Sequence, residues 1–170
     1  MKNILTGMLA GCLLSSFLVA NVAAADESSY YSDQKAKANT QYESDKKRCE
    51  TLSGNDRDVC MKRASANLKI IEADLKAYEE NTSAAALKAQ DERISQEYKV
   101  DKEKCDVYSG NAKDVCVAQA DATQKRREGN LKALQAKLEG DYKVAVEKCE
   151  AYSGDRKSAC KDEAKRAYKP

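Results

Sequence analysis

The cysteines are the residues of this sequence best suited to chemistry, and they come in pairs. Of the seven cysteines, Cys12 lies in an apolar leader. The other six form three C-x10-C pairs: Cys49 and Cys60, Cys105 and Cys116, and Cys149 and Cys160. Paired cysteines can bind a metal, exchange disulfides with other thiols or form structural disulfides.

The spacing of the pairs favours structural disulfides. A C-x10-C pair has neither the C-x2-C knuckle of zinc sites nor the C-x-x-C motif of thiol oxidoreductases, and the chain contains no histidine. An even number of cysteines in an exported chain is typical of a disulfide framework. Thiol or metal buffering by the six cysteines is the alternative.

The pairs belong to a repeated unit with the pattern Y-x6-C-x2-[LY]-S-G-x5-C. A tyrosine precedes each first cysteine by seven residues: Tyr42, Tyr98 and Tyr142. A large side chain follows it by three: Leu52, Tyr108 and Tyr152. A match of this length in three places indicates internal duplication.

The Ser-Gly-Asn/Asp core of each unit predicts a tight helix reversal. The glycines at its centre favour the left-handed conformation that ends a helix: Gly54, Gly110 and Gly154. We expect the next residues to cap the following helices: Asn55, Asn111 and Asp155. Because the two cysteines of a unit are equally far from this reversal, we predict three disulfide-closed αα-hairpin tips at residues 49–60, 105–116 and 149–160. Each disulfide should stabilise the fold by about 3 kcal/mol.

The segments between the tips predict an all-α fold of long antiparallel hairpins with coiled-coil-like seams. Apolar residues recur at steps of three and four, as in the stripe Cys60, Ala64, Leu68, Ile71, Leu75 and Tyr78. We expect helices over 28–53, 56–109, 112–153 and 156–168. Five tyrosines fall on these stripes and are interpreted as seam-packing residues, with a ligand-recognition face as the alternative: Tyr42, Tyr98, Tyr142, Tyr108 and Tyr152.

The two longest helices have candidate break points. A continuous helix over 56–109 would be about 80 Å long, too long to be covered by its first neighbour. We therefore favour a break at Asn81-Thr82-Ser83. In the second long helix, Gly129-Asn130 and Gly140-Asp141 are alternative break points, although glycine inside a helix costs only about 1 kcal/mol relative to alanine.

The first 25 residues predict a cleaved signal peptide. Lys2 is their only charge, an apolar stretch follows, and Ala23-Ala24-Ala25 precedes Asp26. A transmembrane anchor and a lipoprotein attached through Cys12 are the alternatives. Cleavage leaves residues 26–170 as a single helical repeat domain without a transmembrane segment, which we expect in the periplasm.

The composition of the full sequence points away from enzyme chemistry. The 30 basic and 28 acidic residues nearly balance and are interspersed, as on a solvated helix surface, so we expect no nucleic-acid partner. The sequence has no nucleophile elbow, phosphate-binding glycine loop or cluster of metal ligands. We predict no catalytic residues, no cofactor and no metal.

The second repeat resembles a known group of proteins. The segments Tyr98-Lys-Val-Asp-Lys-Glu-Lys-Cys105 and Ser109-Gly-Asn-Ala-Lys-Asp-Val-Cys116 are similar to Lys/Ala-rich proteobacterial exported proteins of unknown function, some of them labelled cell-envelope or TolA-like. The resemblance implies a location in a Gram-negative envelope and brings no catalytic residues. The third tip departs from the pattern, with Ser158-Ala159 where the others have Asp-Val.

The leading functional hypothesis is therefore a non-enzymatic structural or interaction protein of the periplasm with an envelope protein as its partner. A small helical holdase chaperone is the alternative, since thin-cored amphipathic helices offer shallow apolar surface to unfolded clients. The sequence leaves the identity of the partner and the oligomeric state open.

Overall fold

The computed structural model describes residues Ala20–Lys169, with side chains from Ser29 onward. These residues form five helices: α1 (Ala20–Cys49), α2 (Gly54–Glu80), α3 (Ser83–Lys104), α4 (Gly110–Cys149) and α5 (Gly154–Tyr168). A one-turn 3-10 helix, Cys105–Val107, follows α3. The all-α prediction is confirmed. Most of the predicted signal peptide, including Cys12, lies outside the described residues.

Each helix packs against its neighbours in the chain, and the neighbours are antiparallel. The main contacts join α1 to α2, α2 to α3, α3 to α4 and α4 to α5. Ion pairs between α2 and α3 show the direction, because Lys62 near the start of α2 contacts Glu103 near the end of α3. Arg93 contacts Asp74 further along the same pair of helices. The predicted helical hairpins are confirmed.

The three hairpin tips lie at two ends of the molecule. The Lys62 Nζ–Glu103 Oε2 distance of 3.2 Å places the first tip beside the second. Helix α4 then runs 40 residues, about 60 Å, before the third tip reverses the chain. The first two tips therefore share one end, and the third lies at the other.

Helices α3 and α5 lie end to end along α4. They have 22 and 15 residues, against the 40 residues of α4. The hydroxyl of Ser83 at the start of α3 donates a hydrogen bond to the carbonyl of Ala167 at the end of α5. The negative end of one helix dipole thus meets the positive end of the next, which is a favourable arrangement.

The helix between the first two tips is interrupted at Asn81 and Thr82, as expected. Asn81 has φ 45° and its N–H donates to the Ala77 carbonyl, which ends α2 in a left-handed residue. Thr82 caps α3 by accepting a hydrogen bond from the Ala85 N–H at 3.1 Å. Helix α4 continues through Gly129 and Gly140, so neither alternative break point interrupts it.

The predicted helix ends at the tips were wrong by several residues. The incoming helices end at Cys49, Lys104 and Cys149 because the last turn tightens. The N–H groups of Leu52, Tyr108 and Tyr152 each donate at 3.0 Å to the carbonyl of the cysteine three residues earlier.

The predicted N-caps were wrong as well. Gly54, Gly110 and Gly154 have φ between 56° and 57° and are the first residues of the outgoing helices. The N-cap positions therefore fall one residue before the glycines, on Ser53, Ser109 and Ser153, and none of these serines makes a side-chain cap hydrogen bond. Asn55, Asn111 and Asp155 lie inside the helices.

The buried core consists largely of alanine and cysteine. Its larger aliphatic members are Ile70, Leu75, Ile94 and Val100. Seven alanines in the described part of the chain are buried with them: Ala38, Ala64, Ala66, Ala85, Ala89, Ala120 and Ala164. Such small side chains let helix backbones approach closely and leave little apolar area for stabilisation. The disulfides therefore supply part of the stabilisation that a larger apolar core would provide.

Candidate interaction site

Each hairpin tip is closed by its own disulfide. Cys49 bonds to Cys60, Cys105 to Cys116, and Cys149 to Cys160, with Cα–Cα distances of 5.5, 5.6 and 5.7 Å. The predicted pairing is confirmed. No cysteine among the described residues has a free thiol.

The two cysteines of each tip differ in exposure. The first cysteine is fully buried in every tip: Cys49, Cys105 and Cys149 are 0%, 0% and 1% exposed. The second cysteine is half-buried in every tip. No other side chains among the described residues are as deeply buried, so each tip is organised around its first sulfur.

An ion pair across the reversal reinforces two of the tips and was missed in the sequence. Asp106 contacts Lys113 at 2.9 Å, and Glu150 contacts Lys157 at 2.5 Å and Lys161 at 2.7 Å. The hydrogen bonds from the two lysines lower the pKa of Glu150 from 4.5 to about 2. The signal was an acid directly after the first cysteine and a base seven residues later; Glu50 and Arg57 repeat it in the first tip.

The five tyrosines assigned to the seams occupy two environments. Tyr42, Tyr98 and Tyr142, ahead of the cysteines, are half-buried. Tyr108 and Tyr152, at the tips, are exposed. The guanidinium of Arg156 lies 4.2 Å from the ring centre of Tyr152, a cation–π contact.

Tyr98 makes a specific link between helices. Its hydroxyl donates a hydrogen bond to the Asp121 carboxylate on α4 at 2.6 Å. This hydrogen bond, with a smaller contribution from burial, raises the pKa of Tyr98. The Lys102 ammonium lies 5.5 Å from the same ring.

A groove of about 500 Å³ lies between α1, α2 and α3. It forms because α1 and α3 both pack on α2. Helix α1 contributes Ala38, Gln41, Tyr42 and Asp45. Helix α2 contributes one face of its stretch between Arg63 and Asp74, without Lys69, and α3 contributes Arg93, Glu97, Val100, Asp101 and Lys104.

The groove has an apolar floor and a charged rim. Its buried lining includes Ala38, Ala64 and Val100, while Leu68 is half-buried and Ile71 is 36% exposed. These two residues belong to the predicted apolar stripe of α2, so part of that stripe lines the groove instead of the core. The rim carries the Arg93–Asp74 ion pair and Arg63, which has no ion-pair partner among the described residues.

The described residues contain no group of histidine, cysteine and acidic side chains that could hold a metal ion. No helix in the described part of the chain is long and apolar enough to cross a membrane. The groove and the hairpin tips are the candidate interaction surfaces.

The fold and these surfaces define the class of the molecule: an all-helical protein of successive hairpins, each tip closed by a disulfide. Comparison with protein-family models, with curated proteins and with solved structures finds no match.

Proposed function

We propose that this chain is a non-enzymatic interaction protein of the cell envelope, exported to the periplasm, that holds an amphipathic helix of an envelope protein in the groove between α1, α2 and α3. The groove carries the proposal. It joins a partly exposed apolar floor to a mixed-charge rim, and the disulfide of the first tip holds two of its three helices, α1 and α2, together.

The dimensions of the groove suit a short helix. Its α2 wall, from Arg63 to Asp74, rises about 17 Å, or three helical turns. Alanines at the floor leave room for leucine-sized side chains spaced at i, i+3, i+4 and i+7 on the partner. Arg63 and the Arg93–Asp74 pair can contact the polar edges of such a helix.

The predicted leader and the disulfides support export. Structural disulfides persist in oxidising compartments such as the bacterial periplasm, and all six cysteines after the leader are used in this way. Thiol or metal buffering has less support, because none of these sulfurs is available as a thiolate ligand.

Photo-cross-linking in intact cells tests the groove. A photoreactive residue at Asn67, which lines the groove, should give a discrete cross-linked band with an envelope protein. The same residue at Lys69, exposed on α2 but outside the groove, is the matched control. We expect the band from Asn67 and not from Lys69. Equal labelling from both positions, or diffuse background from both, would contradict the proposal.

A holdase chaperone is a second candidate because apolar side chains are exposed at the second tip. Val107, Tyr108 and Val115 are 62%, 52% and 49% exposed there, and Leu52 is exposed at the neighbouring first tip. The third tip folds with Ala151 and Ala159 where the second has Val107 and Val115. The fold therefore does not require these valines.

An aggregation assay separates the two functions. Under the holdase function, equimolar protein slows the aggregation of a chemically denatured client, and Val107→Ser with Val115→Ser removes the effect. Asn67→Arg, which blocks the groove, should leave the effect intact. Failure of the unmodified protein to slow aggregation excludes the holdase function and leaves groove binding untouched.

A further inference from the structure

Helix α4 packs against two separate helices, α3 and α5, that meet near its residue 140. The Cys105–Cys116 and Tyr98–Asp121 pairs set the register of α3, and extending this register to its first residue brings Ser83 level with the stretch from Ala136 to Leu138. At the other side of the junction, Tyr168 near the end of α5 lines a pocket with Asp141. Gly140 thus lies level with the gap between α3 and α5.

Packing does not require glycine at this position. Gly140 is helical and exposed, and a Cβ added to it meets nothing within 4 Å. A glycine inside a helix costs about 1 kcal/mol relative to alanine. No residue of 129–140 is buried, so this stretch of α4 has little tertiary support.

The junction between α3 and α5 is loosely held. Among the described residues, one hydrogen bond crosses it, from the Ser83 hydroxyl to the Ala167 carbonyl. A cavity of about 400 Å³ lies there, lined by small side chains such as Ala77 and Ala86 and by Arg166. Arg166 pairs with Glu163 on its own helix, so this ion pair does not tie α5 to α2 or α3.

We propose that Gly140 is a hinge and that residues 141–168, here called the terminal arm, swing about it as a rigid hairpin. The Cys149–Cys160 disulfide keeps the arm closed during the motion. The Ser83–Ala167 hydrogen bond is the latch that holds the arm against the start of α3. Swinging changes the distance between the third tip and the other two and opens the cavity at the junction.

Distance distributions between the second and third tips test the hinge. Spin labels on noncanonical residues at Ala112 and Ser158, both exposed, leave the six cysteines intact. Electron–electron double resonance on the full chain should show a latched and an open population. Ser83→Ala removes the latch hydrogen bond and should increase the ratio of open to latched molecules about fivefold.

The chain supplies a matched control for the hinge. Gly140→Ala should reduce the open-to-latched ratio about fivefold, because alanine favours the helical backbone. Gly129→Ala introduces the same change at another exposed helical position of α4, level with the middle of α3, where a Cβ also meets nothing within 4 Å. It should leave the distance distribution unchanged.

Two results would overturn the proposal. One is a single narrow distance distribution that none of the three substitutions alters. The other is an equal response to Gly140→Ala and Gly129→Ala, which would mean that the whole helix flexes. Circular dichroism checks that each variant keeps its helix content, and hydrogen exchange around residue 140 reports the hinge independently of the labels.

Discussion

Tyr98 on α3 and Asp121 on α4 are joined by a hydrogen bond of 2.6 Å between the phenol and the carboxylate. The bond crosses the seam of the second hairpin about two turns below its disulfide. It is the one link of this kind among the three aligned tyrosines in the described residues. Tyr42 and Tyr142 occupy equivalent sequence positions without such a bond.

Replacing Tyr98 with phenylalanine should therefore lower the thermal midpoint, because the half-buried carboxylate of Asp121 loses its donor. Tyr142→Phe is the matched control, since it removes a hydroxyl from the equivalent position of the third repeat. Thermal unfolding followed by circular dichroism measures both. Equal midpoints for the two variants would show that the Tyr98 bond contributes nothing to stability.

Removing a disulfide should cost about 3 kcal/mol of unfolding free energy, because the reduced chain regains the entropy of an open loop. The three bonds each join cysteines 11 positions apart, so the loss should be the same for each. Urea denaturation of the Cys105→Ala/Cys116→Ala and Cys149→Ala/Cys160→Ala proteins measures it. A loss below 1 kcal/mol in either would mean that reduced hairpins already hold the tip closed.

The cap of α3 should be energetically distinct from the caps at the tips. Thr82→Ala removes the side-chain acceptor of the Ala85 N–H and should cost about 1 kcal/mol. Ser109→Ala changes an N-cap whose side chain makes no cap hydrogen bond, so it should change stability by less than about 0.5 kcal/mol. Urea denaturation decides between them, and a larger loss for Ser109→Ala would contradict the assignment.

The third tip should weaken in acid. The folded pKa of Glu150 is about 2, below its ordinary value of 4.5. The unfolded chain therefore takes up the proton first as pH falls, and the stabilisation present above pH 4.5 is lost between pH 4.5 and about 2. The midpoint difference between the parent protein and Glu150→Gln should shrink across this window.

Glu147→Gln is the control for this titration. Glu147 lies in the last turn of α4, three residues before Glu150, and makes no ion pair among the described residues. Its variant should follow the parent protein throughout the window. If the midpoint difference between the parent protein and Glu150→Gln stays constant with pH, the contacts of Lys157 and Lys161 with Glu150 do not stabilise the tip through its charge.

The local features of the fold were predictable from the sequence. The pairing of Cys49 with Cys60 and of its two counterparts follows from a reversal centred between them. The break at Asn81 follows from a residue that tolerates the left-handed conformation next to a good N-cap. Both features depend on a few adjacent residues, and the triplicate repeat shows the first of them three times.

The helix ends at the tips were not predictable by the same means. Glycine was assigned to the end of the incoming helix, where it is most common, and the cap to the residue after it. The carbonyl of the first cysteine instead accepts the tightened-turn bond from Leu52, Tyr108 or Tyr152. This moves the end of the incoming helix back to that cysteine, or in the second tip to Lys104 just before it, and leaves the glycine to begin the next helix.

The groove and the arrangement of the tips could not be predicted from the sequence pattern either. A stripe containing Leu68 and Ile71 shows that α2 is amphipathic but not that α1 and α3 leave part of it uncovered. The core alanines, such as Ala64 and Ala120, give weak periodic signals because alanine also suits exposed helix positions. The opposite placement of the third tip depends on the reversal at Asn81 and the unbroken length of α4.

The packing of each helix on its chain neighbour has a consequence for the order of folding. Contacts close in sequence form early and cost little loop entropy, so each hairpin can close and oxidise in chain order, starting with Cys49 and Cys60. The contact of Ser83 with Ala167 is different, because it joins residues 84 positions apart. It requires residues from two distant hairpins and should form after all three hairpins have closed.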